Sequence, residues 1–299
     1  MTMPNFLIIG AAKCGTSSVY HYLRQNPEIY MSPIKEPHFF ALEGQTTRFG
    51  GPDDGMLRNG ITRMEDYRTL FQNASTERVI GEASTSYLYD PIAPRRIRHH
   101  LADVKLVVIL RNPVDRAYSN FLYMSKRQLE PLPDFERALQ EEDIRIRDHW
   151  SPGWHYRQRG FYFRQLRRYF ELFNARQIGI WLFDDLLADP AGLVQGVSRF
   201  LGIETTYTPN VFDKHNVSGL PRIRLLHRLL IKSKPFKGIV KPLLPATVRN
   251  RISKLLRGLY VAKPPLPVRI RKQLINEYRE DVLKLEDLIQ RDLSDWLLA

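Results

Sequence analysis

A single cysteine, Cys14, excludes an internal disulfide. No sequence feature names a base to activate it, so it reads as a small loop residue before it reads as a nucleophile. No stretch approaches 18 consecutive apolar residues, and no transmembrane helix is expected. The N-terminal apolar run follows no basic segment and is too short for a signal peptide. With one cysteine and neither kind of segment, the expectation is a cytoplasmic protein, or the cytosolic part of a larger one. Acidic residues are missing from one long stretch: between Lys214 and Asn276 there is no Asp or Glu, against 16 Lys and Arg. With a net charge of +13, the chain should attract polyanions such as a nucleotide, an acidic polysaccharide, anionic lipid or nucleic acid. Internal repeats and low-complexity tracts are also absent.

What is present is concentrated in residues 6–23, FLIIGAAKCGTSSVYHYL. A short apolar run ends at Gly10, and a small-residue loop, Gly10-Ala-Ala-Lys-Cys-Gly-Thr16, leads into an amphipathic helix. Strand, small-residue loop and helix together aim backbone N–H groups and a helix dipole at an anion. Lys13 adds a mobile charge, and Thr16 and Ser17 add hydroxyls. The nucleotide-hydrolase loop is G-x-x-x-x-G-K-[ST], with a hydroxyl for Mg²⁺ after the lysine. Here Lys13 precedes Gly15 and no Gly-Lys-Ser/Thr follows, so no metal site is written in. The loop alone also fits a tight turn in an ordinary α/β protein.

Further along, IYMSPIKEPHFF (29–40) reads as a short extended segment and 41–60 as a surface loop. Helical spacing covers 64–74, a strand 79–82 and a helix 91–101. Lys105 to Arg111 is a continuous apolar run of the buried parallel type, and Asn112-Pro113 supplies an N-cap and first-turn proline for a helix to about 127. A helix over 159–173, a strand over 178–183 and a helix near 190–201 follow. The last helix, 267–290, carries an apolar stripe through Ile270, Leu274, Tyr278, Leu285 and Leu288. Strands alternating with helices predict an α/β fold: a P-loop-like central parallel β-sheet flanked by helices on both faces, with a basic, helical C-terminal extension. One domain is expected over 1–299, with a core at 4–220 and a basic lid and extension over 221–299.

In an open parallel sheet, ligands bind at the carboxyl ends of the strands. Three strand ends should therefore meet at one crevice: the 10–16 loop, the Glu82–Ser86 turn and Arg111. Arg111 and Ser119, two turns along the following helix, form a plausible phosphate clamp, and Arg116 shares a helix face with Ser119. The plainer reading pairs Arg116 with a surface acid.

Two anion sites without a metal motif resemble the PAPS-dependent sulfotransferases, in particular the glycosaminoglycan (heparan sulfate) branch and its bacterial relatives. Four blocks carry the resemblance over roughly residues 4–220: FLIIGAAKCGTSSVYHYL as the 5′-phosphosulfate loop, KEPHFF (35–40), VIGEASTSYLYDP (79–91) lining the acceptor cleft, and VVILRNPVDRAYSNF as the 3′-phosphate-binding strand and helix. The terminal LEDLIQRDLSDW is similar to the group as well.

The resemblance implies in-line sulfuryl transfer from PAPS to an acceptor hydroxyl or amine, giving PAP, with no metal. It places Lys13 beside the bridging oxygen and Cys14, Gly15, Thr16 and Ser17 around the 5′-phosphate. Arg111 and Ser119 would hold the 3′-phosphate. Glu36 is implied as general base, with His38 as orienting group or as the base itself; in an extended segment the two side chains would share a face. Lys35, Glu82 and Ser84 are implied at the acceptor. Where some relatives have a lysine after the glutamate of the third block, this chain has Ala83, which leaves Lys35 as the nearer lysine. KHNVSGLPRIR (214–224) has the place of a cofactor-covering loop, with Gly219 and Arg222 near the nucleotide, or else is a plain connector.

The acceptor is expected to be a carbohydrate or glycoconjugate, with a lipid or small metabolite as alternative. RIRLLHRLLIK (222–232) within the basic 214–276 region suits an anionic membrane surface, a polyanionic sugar or a lid. A P-loop nucleotide kinase would need the missing Gly-Lys-Ser/Thr. A nucleic-acid-binding module would need exposed aromatics among basic residues of a sheet, and the aromatics here follow helical patterns.

Overall fold

The computed structural model describes residues 2–45, 49–53, 55, 60–203, 207, 209–210 and 264–299. Gly219, Arg222 and the 222–232 segment lie outside the described residues, as does most of the 214–276 region.

Five strands, β1 (Phe6–Gly10), β2 (Ile29–Met31), β3 (Val79–Ala83), β4 (Lys105–Leu110) and β5 (Ile178–Leu182), form one sheet in the order β2-β3-β1-β4-β5. Every pairing is parallel. Phe6, Leu7, Ile8 and Ile9 are all fully buried. Successive strand residues point to opposite faces, so both faces of the sheet are covered. Burial on both sides is why β1 and β4 read as unbroken apolar runs and show no alternation.

Helices fill the crossovers: α1 (Thr16–Leu23), α2 (Phe39–Leu42), α3 (Met64–Thr69), α4 (Ser86–Tyr89), α5 (Ala93–His100), α6 (Pro113–Lys126), α7 (Phe135–Gln140), α8 (Glu142–Arg147) and α9 (Tyr162–Phe170); α10 (Phe183–Ala188) and α11 (Pro190–Leu201) follow β5. Asn112 caps α6 as expected, its side chain accepting the N–H groups of Val114 and Asp115, with Pro113 in the first turn. The expected extended segment at 29–40 is a strand only as far as Met31. Beyond it Glu36 and His38 are both left-handed, at φ 63° and 55°, and α2 follows.

The last helix, α12 (Val268–Ile289), packs on α9. Its buried Asp281 accepts the N–H groups of Phe163 and Arg164, capping α9 from another element. Arg271 pairs with Asp115 at 2.6 Å and Arg291 with Asp185 at 2.9 Å. The carbonyl of Trp296 accepts from the Asn112 side chain, tying the C-terminal turn to the start of α6. Among the described residues no helix is long and apolar enough to cross a membrane.

Candidate active site

β3, β1 and β4 are neighbours, so the three segments leaving their carboxyl ends are brought to one edge of the sheet. The loop after β1 turns twice in the left-handed region, at Lys13 (φ 69°) and Gly15 (φ 86°). The Gly15 carbonyl accepts from Ser18 and Val19 and starts α1. The N–H groups of Thr16 and Ser17 open that helix and have no intrahelical acceptor, the usual condition of a first turn. A Cβ on Gly15 would lie 2.4 Å from Leu186 Cδ2 and 3.1 Å from the Phe183 ring, because α10 packs on the loop. Gly15→Ala should therefore cost about 1–3 kcal/mol by overpacking, above the backbone strain of about 1–2 kcal/mol for a left-handed residue. Gly44→Ala, at φ 68° with open space around it, should show the backbone cost alone. Urea unfolding of the two variants measures the difference.

Lys13 and Arg111 are adjacent. Arg111 Nη1 donates to the Lys13 carbonyl at 3.4 Å, and its guanidinium carbon sits 4.5 Å from the centre of the Phe183 ring. The Lys13 ammonium lies 4.1 Å from the Tyr123 ring centre. Among the described residues neither cation forms an ion pair with a carboxylate. Burial, then the like charge of Arg111 and, more weakly, of Lys126 and Lys35, lowers the Lys13 pKa to about 8. Two cations held together without a counterion make a site that an anion would relieve.

Ser119 is fully buried on α6. Two residues expected at the anion sites stand elsewhere. The Cys14 thiol is buried 3.8 Å from the Tyr162 hydroxyl and its N–H bonds the Ala11 carbonyl, so neither group is turned to the cleft. Burial pushes its pKa up, which makes it a poor thiolate. Arg116 is neither in the crevice nor paired on the surface. It is wholly buried and bonds the Tyr156 carbonyl, and among the described residues its Nε and Nη1 have no hydrogen-bond partner.

Opposite stands the left-handed turn of Glu36 and His38, tacked to the end of β3. The Glu36 N–H bonds the Ala83 carbonyl, and the Glu36 carboxylate accepts the Thr85 N–H at 2.8 Å and the Thr85 hydroxyl at 3.2 Å. Lys35 Nζ lies 2.6 Å from Glu36 Oε1. His38 Nδ1 sits 3.6 Å from Glu36 Oε2 and 2.7 Å from Ser86 Oγ. Glu36 and His38 thus meet through a turn and not through strand alternation. Burial alone would raise the Glu36 pKa; the charges of Lys35 and His38 and the bonds from Lys35 and Thr85 outweigh it and hold the group at about 2.

Glu82 and Ser84, expected at the acceptor, are both fully buried beneath the turn. Glu82 accepts from the hydroxyls of Tyr87 (2.6 Å), Ser84 (2.9 Å) and Tyr67 (3.3 Å). Burial raises its pKa to about 7, with the nearby Glu36 charge adding to the rise and the three hydroxyls opposing it. Because Ser84 gives its proton to Glu82, its oxygen is left to accept the His38 N–H at 3.0 Å. The pair braces the Glu36–His38 turn from beneath.

Thr85, Ser86 and Tyr123 were not singled out from the sequence. The first two belong to a hydroxyl-rich turn, AST-S, straight after a strand. Tyr123 follows Ser119 by four residues on α6, which puts it on the same face. Among the described residues no cluster of His, Cys, Asp and Glu could hold a metal ion.

The profile of the sulfotransferase domain family matches residues 3–217. The chain is 28% identical to heparan sulfate glucosamine 3-O-sulfotransferase 6 of Homo sapiens over 259 residues, which is 85% of this chain and 69% of that protein. It is 29% identical to heparan sulfate glucosamine 3-O-sulfotransferase 3B1 of Homo sapiens over 223 residues, 74% of this chain and 52% of that protein, so it spans about half of the latter. The crystal structure of a sulfotransferase from Alicyclobacillus acidocaldarius superposes with a TM-score of 0.78, at 34% identity, over 99% of both chains. With a family match over most of its length and a full-length structural relative above 30% identity, this chain belongs to the sulfotransferase domain family.

Proposed function

We propose that the protein moves a sulfuryl group from PAPS to a hydroxyl or amine of a carbohydrate or glycoconjugate, leaving PAP. The observation that carries this reading is the pair of adjacent cations, Lys13 and Arg111, without a carboxylate partner among the described residues. PAPS bears a 5′-phosphosulfate and a 3′-phosphate. Lys13 and the N–H groups of Gly15, Thr16 and Ser17 would hold the first, and Arg111 and Ser119 the second, without a divalent ion. The carbohydrate acceptor is supported by the two human relatives, both heparan sulfate glucosamine 3-O-sulfotransferases.

In the transfer the S–O bond to the donor phosphate breaks and a new S–O bond to the acceptor forms. The donor phosphate gains negative charge, which Lys13 is placed to stabilise. The acceptor proton passes to Glu36. That side chain is 26% exposed against 10% for His38, whose Nδ1 already faces Ser86. A carboxylate held at about 2 is a weak base toward a free alcohol. An alcohol oxygen bonding to sulfur, however, becomes strongly acidic, and a group ionised at every working pH then suffices.

The pH dependence follows with a definite sign. Lys13 acts protonated, and its pKa is lowered to about 8, so kcat/KM should fall as pH rises through about 8. Glu36 acts ionised and is lowered to about 2, so it sets no acid limb in the neutral range. Bound polyanionic donor favours the charged lysine, so the limb in kcat should lie above the limb in kcat/KM. Lys13→Arg should remove it from any residual activity.

Transfer of labelled sulfate from PAPS to a panel of saccharide, lipid and small-molecule acceptors, in EDTA, tests the reading. Saccharide sulfation supports it, lipid or metabolite sulfation corrects the acceptor, and no transfer to any of them overturns it. The basic 214–276 region is read as an attractor for an anionic surface. Salt-sensitive co-sedimentation with vesicles containing anionic lipid supports a peripheral membrane position, and no difference from neutral vesicles removes it.

A further inference from the structure

We propose that Tyr123 is a positioning residue that holds the Lys13 ammonium in place without neutralising it, an inference that rests on the sulfuryl-transfer reading for its kinetic consequence. A lysine has a four-carbon stem and high rotamer freedom, and a catalytic lysine must be held. The common device is a carboxylate. Here a carboxylate would cancel the charge that the donor phosphate needs, and none pairs with Lys13 among the described residues. An aromatic face attracts an ammonium while leaving its charge uncompensated.

The geometry fits that task. The Lys13 Nζ sits 4.1 Å from the centre of the Tyr123 ring. Tyr123 lies on α6, whose start is fixed by the Asn112 cap. The ring is itself held: Arg127 Nη1 donates to the Tyr123 hydroxyl at 3.4 Å, and the Arg127 guanidinium carbon lies 5.4 Å from the ring centre. Tyr123 is nevertheless 38% exposed, which is high for a large aromatic on a helix whose other ring-bearing residues, Tyr118 and Phe121, are 5% exposed. Core packing therefore does not account for it.

The same contact shapes the titration of Lys13. The titratable and charged groups that act on its ammonium are Arg111 at the end of β4, Lys126 on α6, Lys35 beside Glu36 and the buried Cys14 thiol in the loop. Three of these repel a proton. Removing the ring would admit water and lessen the burial, the largest cause of the lowered pKa, and would also remove the ring's own attraction for the charged form. Because burial is the largest cause of the lowered value, the Lys13 pKa is expected to move up, toward the ordinary lysine value.

The test uses Tyr123→Leu and Tyr123→Phe in the full chain. Two readouts are taken. The first is kcat and KM for PAPS with the best acceptor. The second is the rate of reductive methylation of Lys13 against pH, followed by mass spectrometry, which needs neither donor nor acceptor. Tyr123→Leu should lower kcat about tenfold, on the scale of a desolvated cation–π contact, with a much smaller change in KM, and should shift the Lys13 methylation profile to higher pH. Tyr123→Phe keeps the ring and should restore most of the loss. The inference is overturned if Tyr123→Leu leaves both the profile and kcat unchanged, or if Tyr123→Phe falls as far as Tyr123→Leu. Should the wild-type chain transfer no sulfuryl group while the methylation profile still shifts in Tyr123→Leu but not in Tyr123→Phe, the placement of Lys13 by the ring stands and the sulfotransferase reading is the part that fails.

Discussion

Lys13→Ala is expected to lower sulfuryl transfer by about 10³-fold, the upper end of what losing one preorganised donor at a developing charge costs. Lys13 is at the tip of a loop fixed on both sides, by Arg111 at its carbonyl and by α10 against Gly15. The same substitution should stabilise the ligand-free protein at neutral pH. The Lys13 pKa is lowered on folding, so the fold disfavours its charged form. That penalty is fully present below about pH 8 and fades as pH rises from there toward the ordinary lysine value. Removing the ammonium removes the penalty. A higher melting temperature at pH 7 together with lost activity is the signature of a residue kept for function. Thermal unfolding with and without PAP, alongside the transfer assay, reads both effects. A destabilised variant would mean that Lys13 serves the fold.

Glu36→Gln should lower kcat by at least about 10²-fold, the scale of losing a general base, with little change in PAP affinity. The amide is isosteric, and its oxygen can still accept the Thr85 N–H that anchors the turn. The fold holds the ionised carboxyl below its ordinary range, so the uncharged amide should lower stability at neutral pH, and a loss of kcat with PAP affinity retained would report chemistry. Lys35 loses its charged partner and exerts its full repulsion on Lys13, so the basic limb of the pH profile should move slightly down. If Glu36→Gln turns over like the wild type, the proton goes to His38, and His38→Asn should then show the large loss.

Much of this was legible in the sequence because the informative signals are local. The run from Phe6 to Leu23 gives strand, loop and helix by composition, and Asn112-Pro113 gives the start of α6 by capping chemistry alone. The apolar stripe through Leu274, Tyr278 and Leu285 places α12. The turn of Glu36 and His38 was less legible. Residues 29–40 begin as a strand, yet Glu36 and His38 take left-handed conformations fixed by bonds to Ala83, Ser84 and Thr85, some 47 residues away in sequence. No periodicity signals such a tertiary lock. Glu82 misled in the same way: a carboxylate at a strand end reads as exposed, and only the hydroxyls of Tyr67 and Tyr87, arriving from α3 and α4, make its burial tolerable. Arg116 shows the converse, since shared helix spacing with Ser119 says nothing about which way a long side chain runs once the core closes over it. The four-residue α4 is shorter than the period that sequence reading needs.

The central claim is that Lys13 and Arg111 grip one doubly anionic nucleotide without a divalent ion. Calorimetric titration of PAP into the wild-type, Lys13→Ala and Arg111→Ala proteins, in EDTA at pH 7, tests it directly. The account predicts one site per chain, full binding in EDTA, and affinity weakened at least about tenfold by each substitution, the loss of a charge-assisted bond. Binding that requires Mg²⁺, or that survives both substitutions at wild-type strength, would contradict it.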